Sequence, residues 1–300
     1  MSVVTIKELL DAGVHFGHPA SRWHPRMAQY IFTKRNGVHI IDVRKTAESM
    51  IEAHYFLKKT AASGGVILYV GTKRQAKDAI RREAGRVGTP FVAERWLGGT
   101  LTNLDTIRQQ IKRLEELERT EASGELEQFT KKMLSSFKRE KRKVVRNLEG
   151  IRTMTKLPQV LLVIDPKVED IAVKEARSLR IPVVAILDTD SDPKPIDIPI
   201  PANDDAMKSI DLLLSRLSDA IIEGKGNRGG AVPVTTQGFS SEELAKIAAK
   251  AAAVVKPATA AAAVVKPATA AADAPAKKPR NKRPAGAEVS DDESGGRPKT

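Results

Sequence analysis

Two acidic runs offer the chain's most concentrated ligand chemistry: Asp188-Thr189-Asp190-Ser191-Asp192 after the apolar stretch 181–187, and Asn203-Asp204-Asp205 after a shorter one at 196–200. If those stretches are neighbouring strands, both clusters meet at the carboxyl edge of a sheet, where open α/β folds place their ligands. Asp188, Asp204 and Asp205 could there hold a structural Mg²⁺ through oxygen ligands. An EF-hand is excluded, because Pro193 stands where that loop needs its glycine and Pro199 where it needs the bidentate Glu. The plainer reading has Asp204 capping the next helix, with Asp188 and Asp192 shaping the turn before Pro193. All five histidines, His15, His18, His24, His39 and His54, fall in the first fifth of the chain. They have no HExxH spacing and no cysteine to assist them, so packing and phosphate contact account for them better than a catalytic metal. No Ser-His-Asp order or paired general acid and base is present, and no catalytic residue is expected.

Cations beside loops and glycines suggest a different chemistry. Gly71-Thr72-Lys73-Arg74 directly follows a strand-like run and should open a helix, the place where an α/β fold turns backbone N–H groups toward anions. It lacks the spacing of a nucleotide-binding phosphate loop and of a dinucleotide site. Lys73 and Arg74, exposed on a first helical turn, would instead meet RNA phosphates. Arg95-Trp96-Leu97-Gly98-Gly99-Thr100-Leu101-Thr102-Asn103 puts an indole and a guanidinium beside a flexible backbone, a set suited to stacking on RNA. Arg22, Trp23 and Arg26 form a similar group. Lys34 and Arg35 stand at the tip of an expected hairpin, where Asn36-Gly37 favours a tight turn because both residues tolerate positive φ.

The elements that must hold these groups alternate between short apolar strands and amphipathic helices over residues 1–224, which makes the fold class α/β. Thr5-Ile6-Lys7-Glu8 has capping-box spacing, so a short helix opens there and ends at Gly13. Strands are expected at 29–33, 38–41, 66–70, 90–93, 159–164, 182–187 and 196–200, and helices at 43–62, 73–87, 168–180 and 204–223. Residues 103–150 break this rhythm. Leu104, Ile107, Ile111 and Leu114 step by three and four, and after Ser123-Gly124 a second stripe follows through Leu126, Phe129, Met133 and Phe137. That pattern predicts an inserted antiparallel coiled-coil hairpin. From Asp105 to Lys156 it carries 14 Lys or Arg against 9 Asp or Glu, concentrated in the returning arm around 138–143.

The 300 residues carry 50 Lys or Arg against 37 Asp or Glu, a net charge of +13, and such a surplus favours a polyanionic partner, nucleic acid before membrane. With no cysteine there is no disulfide framework, zinc ribbon, iron–sulfur cluster or thiol nucleophile, which suits a reducing cytosol. No apolar run approaches the length of a membrane span, and the charged N-terminal stretch does not read as a signal peptide. Residues 225–300 read as a disordered Gly/Ala/Pro/Lys-rich tail. It contains the decapeptide AAAVVKPATA twice, at 251–260 and 261–270, then a basic run at 277–283 and an acidic one at 290–293.

The ordered motifs Ala12–His18, Arg22-Trp23-His24-Pro25, His39–Thr46, Val70–Ala76, Arg95–Asn103, Asp188–Pro193 and Pro201–Ala206 resemble the bacterial small-subunit ribosomal protein S2 family over about residues 4 to 224. The resemblance implies a flavodoxin-like three-layer αβα domain around a parallel sheet, carrying a helical hairpin and without catalytic activity. It implies a cytoplasmic place on the small subunit between head and body, contact with small-subunit rRNA, and neighbouring ribosomal proteins. Among these is the large mRNA-binding protein that is first in the small-subunit numbering. A membrane partner or a homo-oligomer is not implied. On this reading Arg22, Trp23, Arg26, Lys34, Arg35, Lys73, Arg74, Arg95 and Trp96 are the RNA-binding residues. The competing classes are a Mg²⁺-dependent phosphohydrolase using Asp188, Asp190 and Asp204, and a free-standing adaptor whose coiled coil binds protein. The tail departs from the family pattern and receives no role from it.

Overall fold

Side chains that alternate along five short strands decide the architecture. The computed structural model describes residues 4–123 and 129–226. In it β4 (Ile67–Val70), β5 (Phe91–Val92), β6 (Val160–Ile164), β7 (Val183–Leu187) and β8 (Ile198–Pro201) form one parallel sheet in the order β5-β4-β6-β7-β8. Counted within this sheet, that is the order 2-1-3-4-5 of flavodoxin-like folds. Every residue of β4, β6 and β7 is buried, as expected for strands covered on both faces. Successive side chains go to opposite faces. Ile67 and Tyr69, Leu162 and Ile164, and Val184 and Ile186 enter one core; Leu68 and Val70, Leu161 and Val163, and Val183 and Ala185 enter the other.

The first core is closed by α1 (Ile6–Asp11), α2 (Val43–Ala62), α3 (Lys77–Val87) and α7 (Met207–Gly226), the second by α6 (Asp170–Ser178) and the base of α4 (Leu104–Ala122) and α5 (Lys131–Leu148). The result is the expected αβα stack. Thr5 and Glu8 cap α1 reciprocally, and Asp42 caps α2 by accepting from Arg44 N at 3.0 Å. Within the first core Tyr69 reaches across to α7, its hydroxyl 2.8 Å from Ser218 Oγ.

A second sheet of three antiparallel strands, ordered β1-β3-β2, consists of β1 (Phe16–Pro19), β2 (Ile31–Arg35) and β3 (Val38–Ile41). Asn36 (φ +50°) and Gly37 (φ +79°) turn the hairpin, both in the left-handed region that the Asn-Gly pair anticipates. Lys34 and Arg35 close β2 rather than sit in the turn. β1 was not expected from the sequence.

Helices α4 and α5 lie side by side, joined by the ion pairs Arg113–Glu140, Glu121–Lys141 and, just past α5, Glu118–Arg152. The expected helix pair is present. Residues 124–128, with Leu126 of the second stripe, and the tail beyond residue 226 lie outside the described residues. Among the described residues no helix is long and apolar enough to cross a membrane.

Candidate nucleic-acid interface

The carboxyl edge of the five-stranded sheet gathers the acidic clusters as anticipated, because β7 and β8 are parallel neighbours. Asp188 follows β7 and Asp204 follows β8, and both are buried. Two partners were not foreseen. Asp165, after β6, takes positive φ (+59°) and accepts from Lys167 N and Val168 N to open the approach to α6. His18, from β1, places Nδ1 2.8 Å from Asp188 Oδ2 and Nε2 3.4 Å from Asp205 Oδ2. Its hydrogen bond to Asp188, helped by the nearby Asp190 and Asp204, raises the imidazole pKa to about 9 against the pull of burial, so His18 is a cation at neutral pH.

Lys73 fills the middle of this edge. The expectation of an exposed first-turn lysine is corrected on two counts. Helix α3 begins four residues later, at Lys77, because residues 73–76 form a tight turn closed by Ala76 N to Lys73 O at 2.9 Å. The Lys73 ammonium then points inward, 2.7 Å from Asp204 Oδ1, 2.7 Å from Asp205 Oδ1 and 3.3 Å from Asp165 Oδ2. Burial alone would depress its pKa, but these carboxylates hold it above the ordinary lysine value. Burial and the neighbouring Asp165 push the Asp204 carboxyl above its ordinary range, against the attraction of Lys73. Its Oδ2 is buried without a hydrogen-bond partner. Asp204 does not cap α7; the Asn203 side chain accepts from Asp205 N and Ala206 N instead.

Among the described residues, the donor atoms that could share a metal ion belong to His18, Asp188 and Asp204, all within 4.8 Å of one another. Asp205, 51% exposed, is turned toward Lys73 and His18 Nε2 and lies outside that set. An imidazole with two carboxylates suits a zinc- or manganese-type ion better than the all-oxygen shell of Mg²⁺.

Glu175 of α6 organises the Arg95–Asn103 loop. Its carboxylate accepts from Trp96 Nε1 (3.1 Å), Gly99 N (2.8 Å), Leu101 N (3.0 Å), Thr102 N (3.2 Å) and Thr102 Oγ1 (3.3 Å). Burial raises the Glu175 pKa, but these donors more than offset it and leave the group below its usual range. Trp96 is consequently buried, 7% exposed, which corrects the expectation of a stacking surface there. Arg95 beside it is exposed.

The other expected RNA-binding residues divide by partner. Arg22, Lys34, Arg35, Arg74 and Arg95 are exposed and make no ion pair with any described residue. Trp23 is 41% exposed, its ring 5.4 Å from that of His39. Arg26 is engaged with Asp192 at 2.6 Å.

A larger cationic surface lies on α5. Lys131, Lys132, Lys138, Arg139, Arg142, Lys143 and Arg146 are all exposed, and none forms an ion pair with a described residue. At about 100° per residue they fall within an arc of roughly 140° with no acid in it, opposite Phe137, Val144 and Leu148. Sequence reasoning noted the basic returning arm but did not resolve it into a face; the spacing 131, 138, 142, 146 held that signal. Neighbouring α4 differs, since its Arg108 and Arg113 are paired with Asp105 and Glu116.

Comparison with known proteins bears on what such a surface meets. A family model for ribosomal protein S2 matches residues 9–224. A small ribosomal subunit protein uS2 from Rhodopirellula baltica is 52% identical over 221 residues, covering 74% of this chain and 85% of that protein.

Proposed function

The chain belongs to the ribosomal protein S2 family, a structural and non-enzymatic family of the small subunit, and from that premise we propose that it binds small-subunit rRNA through phosphate contacts. The observation that carries the proposal is the acid-free, unpaired cationic face of α5. Arg22, Lys34, Arg35, Arg74 and Arg95 extend the contact onto the globular part, with Trp23 available to stack on an unpaired base. Each neutralised phosphate releases condensed counterions, so the complex weakens as salt rises. The place of binding is cytoplasmic, between head and body of the subunit, where the chain helps attach the large mRNA-binding protein that is first in the small-subunit numbering. Family membership removes the phosphohydrolase alternative, and it favours a ribosomal partner over a free-standing adaptor.

At the acidic edge the proposal includes a structural divalent cation held by His18, Asp188 and Asp204, supported by the orphaned Asp204 Oδ2. It would displace the Lys73 ammonium from Asp204 and the proton from His18, since only the neutral imidazole ligates a metal.

Sedimentation of cell lysate through a sucrose gradient tests the reading. Co-migration with the small subunit, lost as salt is raised, is the expected result; migration only near the top of the gradient refutes it.

A further inference from the structure

The strand bearing Lys34 and Arg35, β2, belongs to the three-stranded sheet and not to the five-stranded one. A rigid cationic surface nevertheless requires that sheet to be fixed to the five-stranded one; Asn203, after β8, holds the entry to β1 through Gly13 O and Val14 O, and the loop after β7 holds β1 itself and the approach to β2. Thr189 is fully buried there and serves two segments at once. Its Oγ1 accepts from His18 N at 3.0 Å, and its carbonyl accepts from His24 N at 2.8 Å. His18 lies in β1, and His24 directly precedes the short 3-10 turn Pro25–Tyr30 that leads into β2. One residue therefore holds both ends of the loop that carries Arg22 and Trp23.

The close approach depends on Gly17. A Cβ at that position would lie 2.7 Å from Thr189 Cγ2 and 3.0 Å from both Thr189 Oγ1 and Asp188 Oδ1, so a side chain there would push β1 off the loop. The ion pair Arg26–Asp192 closes the same junction from its exposed side.

We infer that Thr189, seated against Gly17, is a positioning residue for RNA binding: it sets the orientation in which Arg22, Trp23, Lys34 and Arg35 are presented. The inference rests on the reading that these side chains meet rRNA. Its mechanical part stands on the free protein alone. A valine at 189 keeps the shape but leaves His18 N without its acceptor inside a buried contact. A serine keeps the acceptor.

The test uses the full 300-residue chain with Thr189→Val, Gly17→Ala and Thr189→Ser. Amide hydrogen exchange in residues 16–41 is expected to rise roughly 5- to 30-fold in the first two variants, with the amides of β6 unchanged, and to stay native in the third. Affinity for small subunits lacking this chain should fall in Thr189→Val. Combining it with Lys34→Glu and Arg35→Glu should cost less than the product of the separate losses. Unchanged exchange over 16–41, or a rise shared equally by β6, overturns the positioning role whatever the RNA result. If Lys34→Glu with Arg35→Glu binds as tightly as native, the hairpin's RNA contact falls instead, and exchange still decides the mechanical claim.

Discussion

At the carboxyl edge of the five-stranded sheet Asp165, Asp188 and Asp204 are buried and answered from within the chain by Lys73 and His18, and on α6 the buried Glu175 is answered by a ring of loop amides. On the outer face of α5 seven cations are exposed and answered by nothing in the described residues. Both regions read as charge clusters in the sequence. Their difference is one of compensation: a buried charge must be matched inside the fold because desolvation is costly, whereas an exposed one is left to solvent or to a partner. In this chain the place where α/β proteins usually bind ligands has become an internal brace, and the free charge has moved to a helix face.

Breaking the brace should have the largest effect. Glu175→Ala leaves Trp96 Nε1 and the amides of Gly99, Leu101 and Thr102 without an acceptor, and should cost about 3 kcal/mol, or roughly 6–12 °C in melting temperature for a fold of this size. The pH dependence has a defined sign. Because the native Glu175 pKa lies below the ordinary glutamate value of 4.5, its contribution is complete above that value and is lost as pH falls through the depressed one. The stability gap between the native chain and Glu175→Gln should thus be widest near neutrality and narrow toward pH 3, which denaturant titrations at the two pH values will show.

At the carboxyl edge of the sheet a divalent cation sharpens the comparison. Zinc or manganese at 100 times its Kd should stabilise the native chain by about 2.7 kcal/mol, and Asp204→Asn should abolish that response. A native chain whose melting is indifferent to both ions would leave Asp188 paired with His18 and Asp204 with Lys73.

On α5 the expectation is reversed. Lys138→Glu, Arg139→Glu and Arg142→Glu together should change folding stability by no more than about 0.5 kcal/mol, since no folded-state partner is lost. Affinity for small subunits lacking this chain should nevertheless fall at least about tenfold, measured by filter binding at physiological salt.

Local signals reached the elements well where one segment contains its own reason. The expected helix at 43–62 is α2, Val43–Ala62, because its apolar spacing and the Asp42 cap lie in the same stretch. Asn36-Gly37 announced its turn, and the parallel strands announced themselves as short buried runs. What remained hidden depends on distant partners. β1 contains a glycine and a proline and lacks alternation; it is a strand because Phe16 pairs with Ile40. Trp96 looked available until Glu175, 79 residues away, took its N–H. Lys73 looked like a surface cation, and only the convergence of β6 and β8 shows it to be the counter-ion of Asp165 and Asp204. The cationic face of α5 was legible in principle, from helical spacing alone.

On the proposed function, free cations, and those of α5 above all, hold this chain to rRNA. The most direct test is the salt dependence of binding to small subunits lacking the chain, for the native protein and for the triple α5 variant. A linear fall of log affinity with log salt, with a slope smaller by about two to three in the variant, is the predicted result. Equal slopes for the two proteins, or affinity indifferent to salt, would contradict it.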